Sequence, residues 1–203
     1  MLQHDCSMNI SEILRRLENM IRFGSIDTVD LNQAFCTVNL GDIKTAPLNW
    51  LNLRAGADST WDPPTSGERC IVFSPSGELA QGIVLFGIYS EENTAPTNAA
   101  NIKLRKFSDG TVIQYDTNSH VLKATLTGGG KVEITASGGI TLNGNTTING
   151  SLTATGVTTV KSSLNASGNI TSNADVKAGN ISLSGHKHTG VQGGGSTSGG
   201  PVP

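Results

Sequence analysis

Residues 131–178 read KVEITASGGITLNGNTTINGSLTATGVTTVKSSLNASGNITSNADVKA. Val132, Ile134, Ala136, Ile140, Leu142, Ile148, Leu152, Ala154, Val160, Leu164, Ala166, Ile170, Ala174, Val176 and Ala178 all stand at even numbers, and Val157 is the single odd-numbered exception. Thr, Ser, Asn, Lys, Glu and Asp fill almost every odd position. A period of two sustained this long marks strands with one buried and one wet face. A second period lies over the first: Gly138, Gly144, Gly150, Gly156 and Gly168 are spaced by six or a multiple of six and share the inward parity. Such hexad repetition reads as a β-helix in which each turn is one structural unit. A disordered Gly/Ser/Thr linker would not keep parity.

The inward residues are small, and this creates an energetic problem. At roughly 25 cal/mol per Å² buried, against about 1 to 2 kcal/mol of backbone entropy per residue, an isolated ribbon of Ala, Gly, Thr and Val does not hold together. Identical neighbours solve it. Three copies wound about one axis pair every buried edge with another chain and leave no free sheet edge. The expectation is therefore an intertwined homotrimer.

Downstream the parity slips. Ile181 and Leu183 are odd-numbered, which predicts a bulge or turn at Gly179-Asn180. His186-Lys187-His188 follow. On a strand, residues i and i+2 point the same way, so both imidazoles share a face. One chain then supplies two nitrogen ligands and three chains supply six, an octahedral set. Zinc prefers a tetrahedron, whereas imidazole also suits divalent iron, nickel and cobalt, of which iron is the first choice. The tail TGVQGGGSTSGGPVP can close the tip, with Pro201 and Pro203 limiting fraying.

Upstream, short apolar runs replace the hexads. SIDTVD, FCTVNL, PLNWLNL, ERCIVFS and GIVLFGIYS lie between Ser25 and Ser90, separated by Asp62-Pro63-Pro64, Ser66-Gly67 and the hairpin-like Ser74-Pro75-Ser76-Gly77. Five such strands suggest a small antiparallel barrel of the OB type. The polar linker EENTAPTNAA and a hairpin, NIKLRKF and TVIQYD joined through Ser108-Asp109-Gly110, separate it from the ribbon. Before the barrel, Ile10, Ile13, Leu14, Leu17, Met20 and Ile21 recur at helical spacing, with Asn9 and Ser11 as caps at the start and Gly24 at the end. The resulting plan is mainly β. It has a helical segment over 1–24, an OB-fold domain over 25–90, a linker and hairpin region over 91–130, a trimeric β-helix over 131–184 and an apex over 185–203.

Composition removes several function classes. A net charge of −2 leaves no basic stripe for a phosphate backbone, so nucleic acid is not an expected partner, and Trp50, Trp61, Phe73 and Phe86 are expected as core or subunit contacts. No apolar run approaches the roughly 18 to 20 residues that span a bilayer, and MLQHDCSMNI has no secretory pattern, so synthesis and folding in the cytosol are expected. Cys6, Cys36 and Cys70 are odd in number and far apart, which fits small buried thiols better than a disulfide framework or a thiolate metal site. HExxH, GxSxG and phosphate-loop patterns are absent, and the carboxylates are unpaired, so no enzyme and no small-molecule substrate are expected.

Several motifs in order resemble one family: the helix ending in NMIRFGSIDTVD, then WLNLRAGADSTWDPPTSGE, SGEL followed by LFGIYS, KFSDGTVIQYD, and the terminal HKHTGVQGGGSTSGGP. The chain is similar to the baseplate assembly protein V family, the tail spikes of contractile-tailed phages. That resemblance covers nearly the whole chain and implies an OB barrel, a trimeric β-helix and a pointed apex. It also implies that His186 and His188 of three chains bind one buried iron ion, Fe²⁺, through six imidazoles. Further expectations are a baseplate hub at the barrel end, transient contact with the host outer membrane, a place in the virion tail baseplate after assembly in the host cytoplasm, and a mechanical, membrane-piercing role. The rival reading is a trimeric receptor-binding fibre or adhesin, which requires a knob with exposed aromatics where only glycine, serine and proline follow the histidines.

Overall fold

Asn9 begins the ordered chain of a computed structural model that describes residues 9–190 with 193 and 194. Cys6, Pro201, Pro203 and most of the glycine-rich tail lie outside the described residues. The Asn9 side chain accepts the Ser11 N–H at 3.0 Å and starts helix α1 (Ile10–Asn19). The helix stops at Met20, before the expected Gly24, because from Ile21 the chain joins a sheet. Gly24 lies inside a strand. There a Cβ would sit 2.6 Å from the Asn39 carbonyl oxygen and 2.6 Å from Val38 Cγ1, so the glycine is needed for strand contact and not for a helix cap.

Strands β1 (Ile21–Asp30), β2 (Phe35–Asn39), β3 (Leu48–Trp50), β4 (Arg69–Phe73) and β5 (Ile83–Ile88) close a barrel in the order β1-β2-β3-β5-β4. All neighbouring pairs are antiparallel except β3 with β5. A register shift between Ile26 and Thr28 bends β1 far enough to pair with β2 on one side and β4 on the other. The Ser74–Gly77 segment is a tight 3₁₀ turn followed by a second one at Leu79–Gln81, rather than a two-residue hairpin.

Inside the barrel, Ile26, Cys36, Val38, Leu40, Leu48, Trp50, Cys70, Val72 and Val84 form one buried cluster, with Phe86 packed against it. Burial disfavours a thiolate, so the Cys36 thiol is pushed up to about 11 and that of Cys70 to about 12. Both are free and inert. Trp61 is exposed but tilts against Trp50, ring centres 5.8 Å apart.

A second sheet, β6 (Ile102–Lys106), β7 (Val112–Asp116) and β8 (Val121–Thr125), contains the expected hairpin and one strand more. The β7–β8 turn gathers donors on Asp116. Asn101 donates at 2.7 Å, the Asn118 N–H at 2.9 Å and the Ser119 hydroxyl at 2.9 Å, lowering the Asp116 carboxyl from its ordinary 3.8 to about 2.

The chain divides into two units, residues 1–134 and 135–203. In the second, the expected β-helix has no strand ladder of its own, because its inward edges find no partner within one chain. From Leu126 to Val176 no residue lies in a strand. The hexad is nevertheless present as geometry: bends fall at residues 144, 150, 156, 162, 168 and 174, including Ser162 and Ala174 where glycine is missing. Val157, the residue that breaks parity, is 98% exposed, whereas Ile148 and Val160 on the even side are 52% and 51% exposed.

Two outcomes follow. Gly24→Ala should lower barrel stability by about 1–3 kcal/mol, as overpacking against backbone does, read by urea unfolding. The depressed Asp116 carboxyl contributes stability that is complete above its ordinary value and disappears as pH falls through about 2. Asp116→Asn should therefore flatten the acid limb of the stability–pH curve and leave the neutral region little changed in slope.

Candidate functional site

Local turns, rather than a continuing strand, build the end of the chain. Strands β9 (Lys177–Ala178) and β10 (Ile181–Ser182) pair antiparallel, Ala178 opposite Ile181 and Lys177 opposite Ser182. The reversal between them is the expected turn at Gly179-Asn180, and Gly179 has φ 61°, a left-handed value that suits glycine. A bond from the Leu183 N–H to the Val176 carbonyl, 2.8 Å, extends the pairing by one step.

A second turn follows at once. The Ser182 hydroxyl accepts the Gly185 N–H at 2.8 Å, and the Ser182 carbonyl accepts the His186 N–H at 3.1 Å. Across the hairpin, Asp175 accepts the Ser184 hydroxyl at 3.0 Å and the Ser184 N–H at 3.4 Å. The hydroxyls of Ser182 and Ser184 hold the Asp175 carboxyl below its ordinary range.

His186 and His188 thus leave the strand, contrary to the expectation that strand alternation aligns them. The turn still brings them together. Their ring centres are 4.9 Å apart at an interplanar angle of 76°. His186 Nδ1–H donates to the Ser182 carbonyl at 2.8 Å, with the Leu183 carbonyl at 3.2 Å. Committing Nδ1 to a carbonyl selects one tautomer of the neutral ring and leaves the Nε2 lone pair available, the arrangement usual for a metal-ligating imidazole. The donor set therefore fits a divalent transition metal, although among the described residues no three His, Cys, Asp or Glu side chains of one chain form a ligand group.

Asp175, Ser182 and Ser184 were not singled out from the sequence. Their contacts span as many as nine residues across a reversal, and only the parity slip after Ala178 hinted at it.

Nitrogen-15 NMR of metal-free protein above the imidazole titration range should find His186 mainly protonated at Nδ1. A ring protonated mainly at Nε2 would mean that the bond to Ser182 is not formed.

Comparison with known proteins is consistent with this arrangement at both ends. Residues 22–89 match the family described as the type VI secretion system/phage-baseplate injector OB domain, and residues 180–202 match the GpV Apex motif. The chain is also 41% identical over 133 residues to the Spike protein of Escherichia phage P2. That alignment covers 66% of this chain and 62% of the relative, so it spans less than two thirds of the relative's length. The resemblance read from the residues holds: in its barrel and at its tip, the chain is similar to a phage baseplate spike protein.

Proposed function

We propose that three copies of this chain form the spike at the head of a contractile tail, a part of the virion baseplate that pierces the host outer membrane during injection. One observation carries the reading. Between Lys131 and Asp175 the main chain makes a single internal main-chain hydrogen bond, Gly139 N–H to the Ala136 carbonyl, although the chain bends every six residues and keeps its apolar side chains to one side. Extended backbone of that regularity needs partners for its N–H and C=O groups. Neighbouring copies offer them in register.

The role is mechanical. Contraction drives a tube forward, and a narrow rigid tip concentrates the force. The polar odd-numbered residues suit an outer surface that neither aggregates nor lodges in lipid. Three tips bring together six imidazoles, His186 and His188 of each copy, as ligands for one iron ion. The ion would supply a rigid cross-link and no reaction. The barrel end is placed against the baseplate hub, and assembly occurs in the host cytoplasm before incorporation into the particle. Similarity to a spike protein supports the non-enzymatic reading, as does the lack of a catalytic motif in the sequence.

Replacing His186 and His188 together by Ala should abolish bound metal in elemental analysis while a solution mass of three chains persists, because interchain pairing holds the ribbon. A single-chain mass for the unaltered protein would overturn the reading, as would turnover of peptidoglycan by it.

A further inference from the structure

In the barrel, β4 and β5 present apolar residues on both faces. Their sequences, RCIVF and IVLFGI, are nearly unbroken hydrophobic runs, the pattern of strands covered on two sides. Only one side is covered within the chain. Cys70, Val72 and Val84 point into the core, while the alternate residues point out. Registers place the outward residues in two rows across three adjacent strands. Ile21 lies opposite Phe73 and Phe73 opposite Ile83; Phe23 lies opposite Ile71 and Ile71 opposite Leu85. Ile21 is 58% exposed, Phe23 61%, Phe73 42%, Ile83 45% and Leu85 37%.

The chain's own helix does not cover this wall. α1 is held by its polar side, Arg15 and Arg16 each 3.6 Å from Glu78, and the Arg16 backbone lies so close to Gly77 that a Cβ there would clash. A position that combines φ 75° with this contact admits only glycine readily, so the helix is fixed beside the wall, with Ile10, Leu14 and Leu17 left exposed.

We infer that the outward β1-β4-β5 wall is the seat of a neighbouring copy of this chain, a second interchain contact besides the ribbon. Taking roughly 150–200 Å² for a fully bared large side chain, the wall bares on the order of 400 Å² of apolar surface. A freely diffusing partner needs about 800 Å² on each side for stable association. That shortfall argues for a partner held near by other means, and copies joined through the ribbon meet at effective concentrations near millimolar. Around a threefold axis such a contact is heterologous, wall against a different face of the next copy, and it closes after three. The inference rests on the trimer reading.

The test places the photo-cross-linker p-benzoylphenylalanine at Phe73 in the purified full-length chain, with Asp42, an exposed loop residue, as the control site. Illumination should convert most of the Phe73 sample into cross-linked dimers and trimers and leave the Asp42 sample at the single-chain mass on denaturing gels. A three-chain solution mass with no cross-link from Phe73, or with equal yields from both sites, overturns the wall contact and leaves the trimer intact. A single-chain solution mass overturns both. Phe73→Ser should, in the same preparation, lower the urea midpoint of the barrel while the mass stays at three chains; an unchanged midpoint would count against the wall being covered.

Discussion

Backbone amides without partners govern this molecule. From Lys131 to Asp175 an extended chain repeats a bend every six residues and makes almost no main-chain hydrogen bonds to itself. An unpaired backbone group costs about as much as a lost hydrogen bond once it is withdrawn from water. Small inward side chains cannot offset that cost within one chain, since Ala, Gly and Thr remove little apolar area from water. The ribbon therefore has a structure only as one strand of a larger assembly, and the rigidity required of a piercing tip comes from shared pairing rather than from a conventional core.

The barrel solves the opposite problem. Five strands close upon themselves, and nine buried residues, headed by Trp50, Ile26 and Leu48, form a core that one chain completes. Gly24 allows β1 to pass close to β2 where any Cβ would meet the Asn39 carbonyl. Yet the outward rows of β1, β4 and β5 remain apolar. A domain that can fold alone still carries a face shaped for company, and tethering by the ribbon is the condition under which a patch of that size suffices.

At the tip, short-range hydrogen bonds replace packing. The hairpin of β9 and β10, the Ser182 turn and the Asp175–Ser184 pair hold His186 with its Nδ1 engaged, so one nitrogen is directed by the backbone and the other is free to bind. Such preorganisation matters most where ligands come from separate chains, because each copy must present its imidazoles without help from the others.

Periodicity made much of this legible in the sequence. Period-two parity and the hexad glycines announced the ribbon, the apolar runs announced the five barrel strands, and His186 and His188 stood out as a pair two residues apart. Local patterns decide such features, and local patterns are what a sequence displays. Gly24 was misassigned as a helix end because its reason for being glycine is the backbone of β2, distant in the chain. β8 followed no strong turn signal, its reversal using His120 at φ 57°. The positions of the two imidazoles depend on hydrogen bonds across a reversal, and the two-row wall depends on strand registers. These contacts join residues far apart along the chain, so only the folded arrangement could decide them.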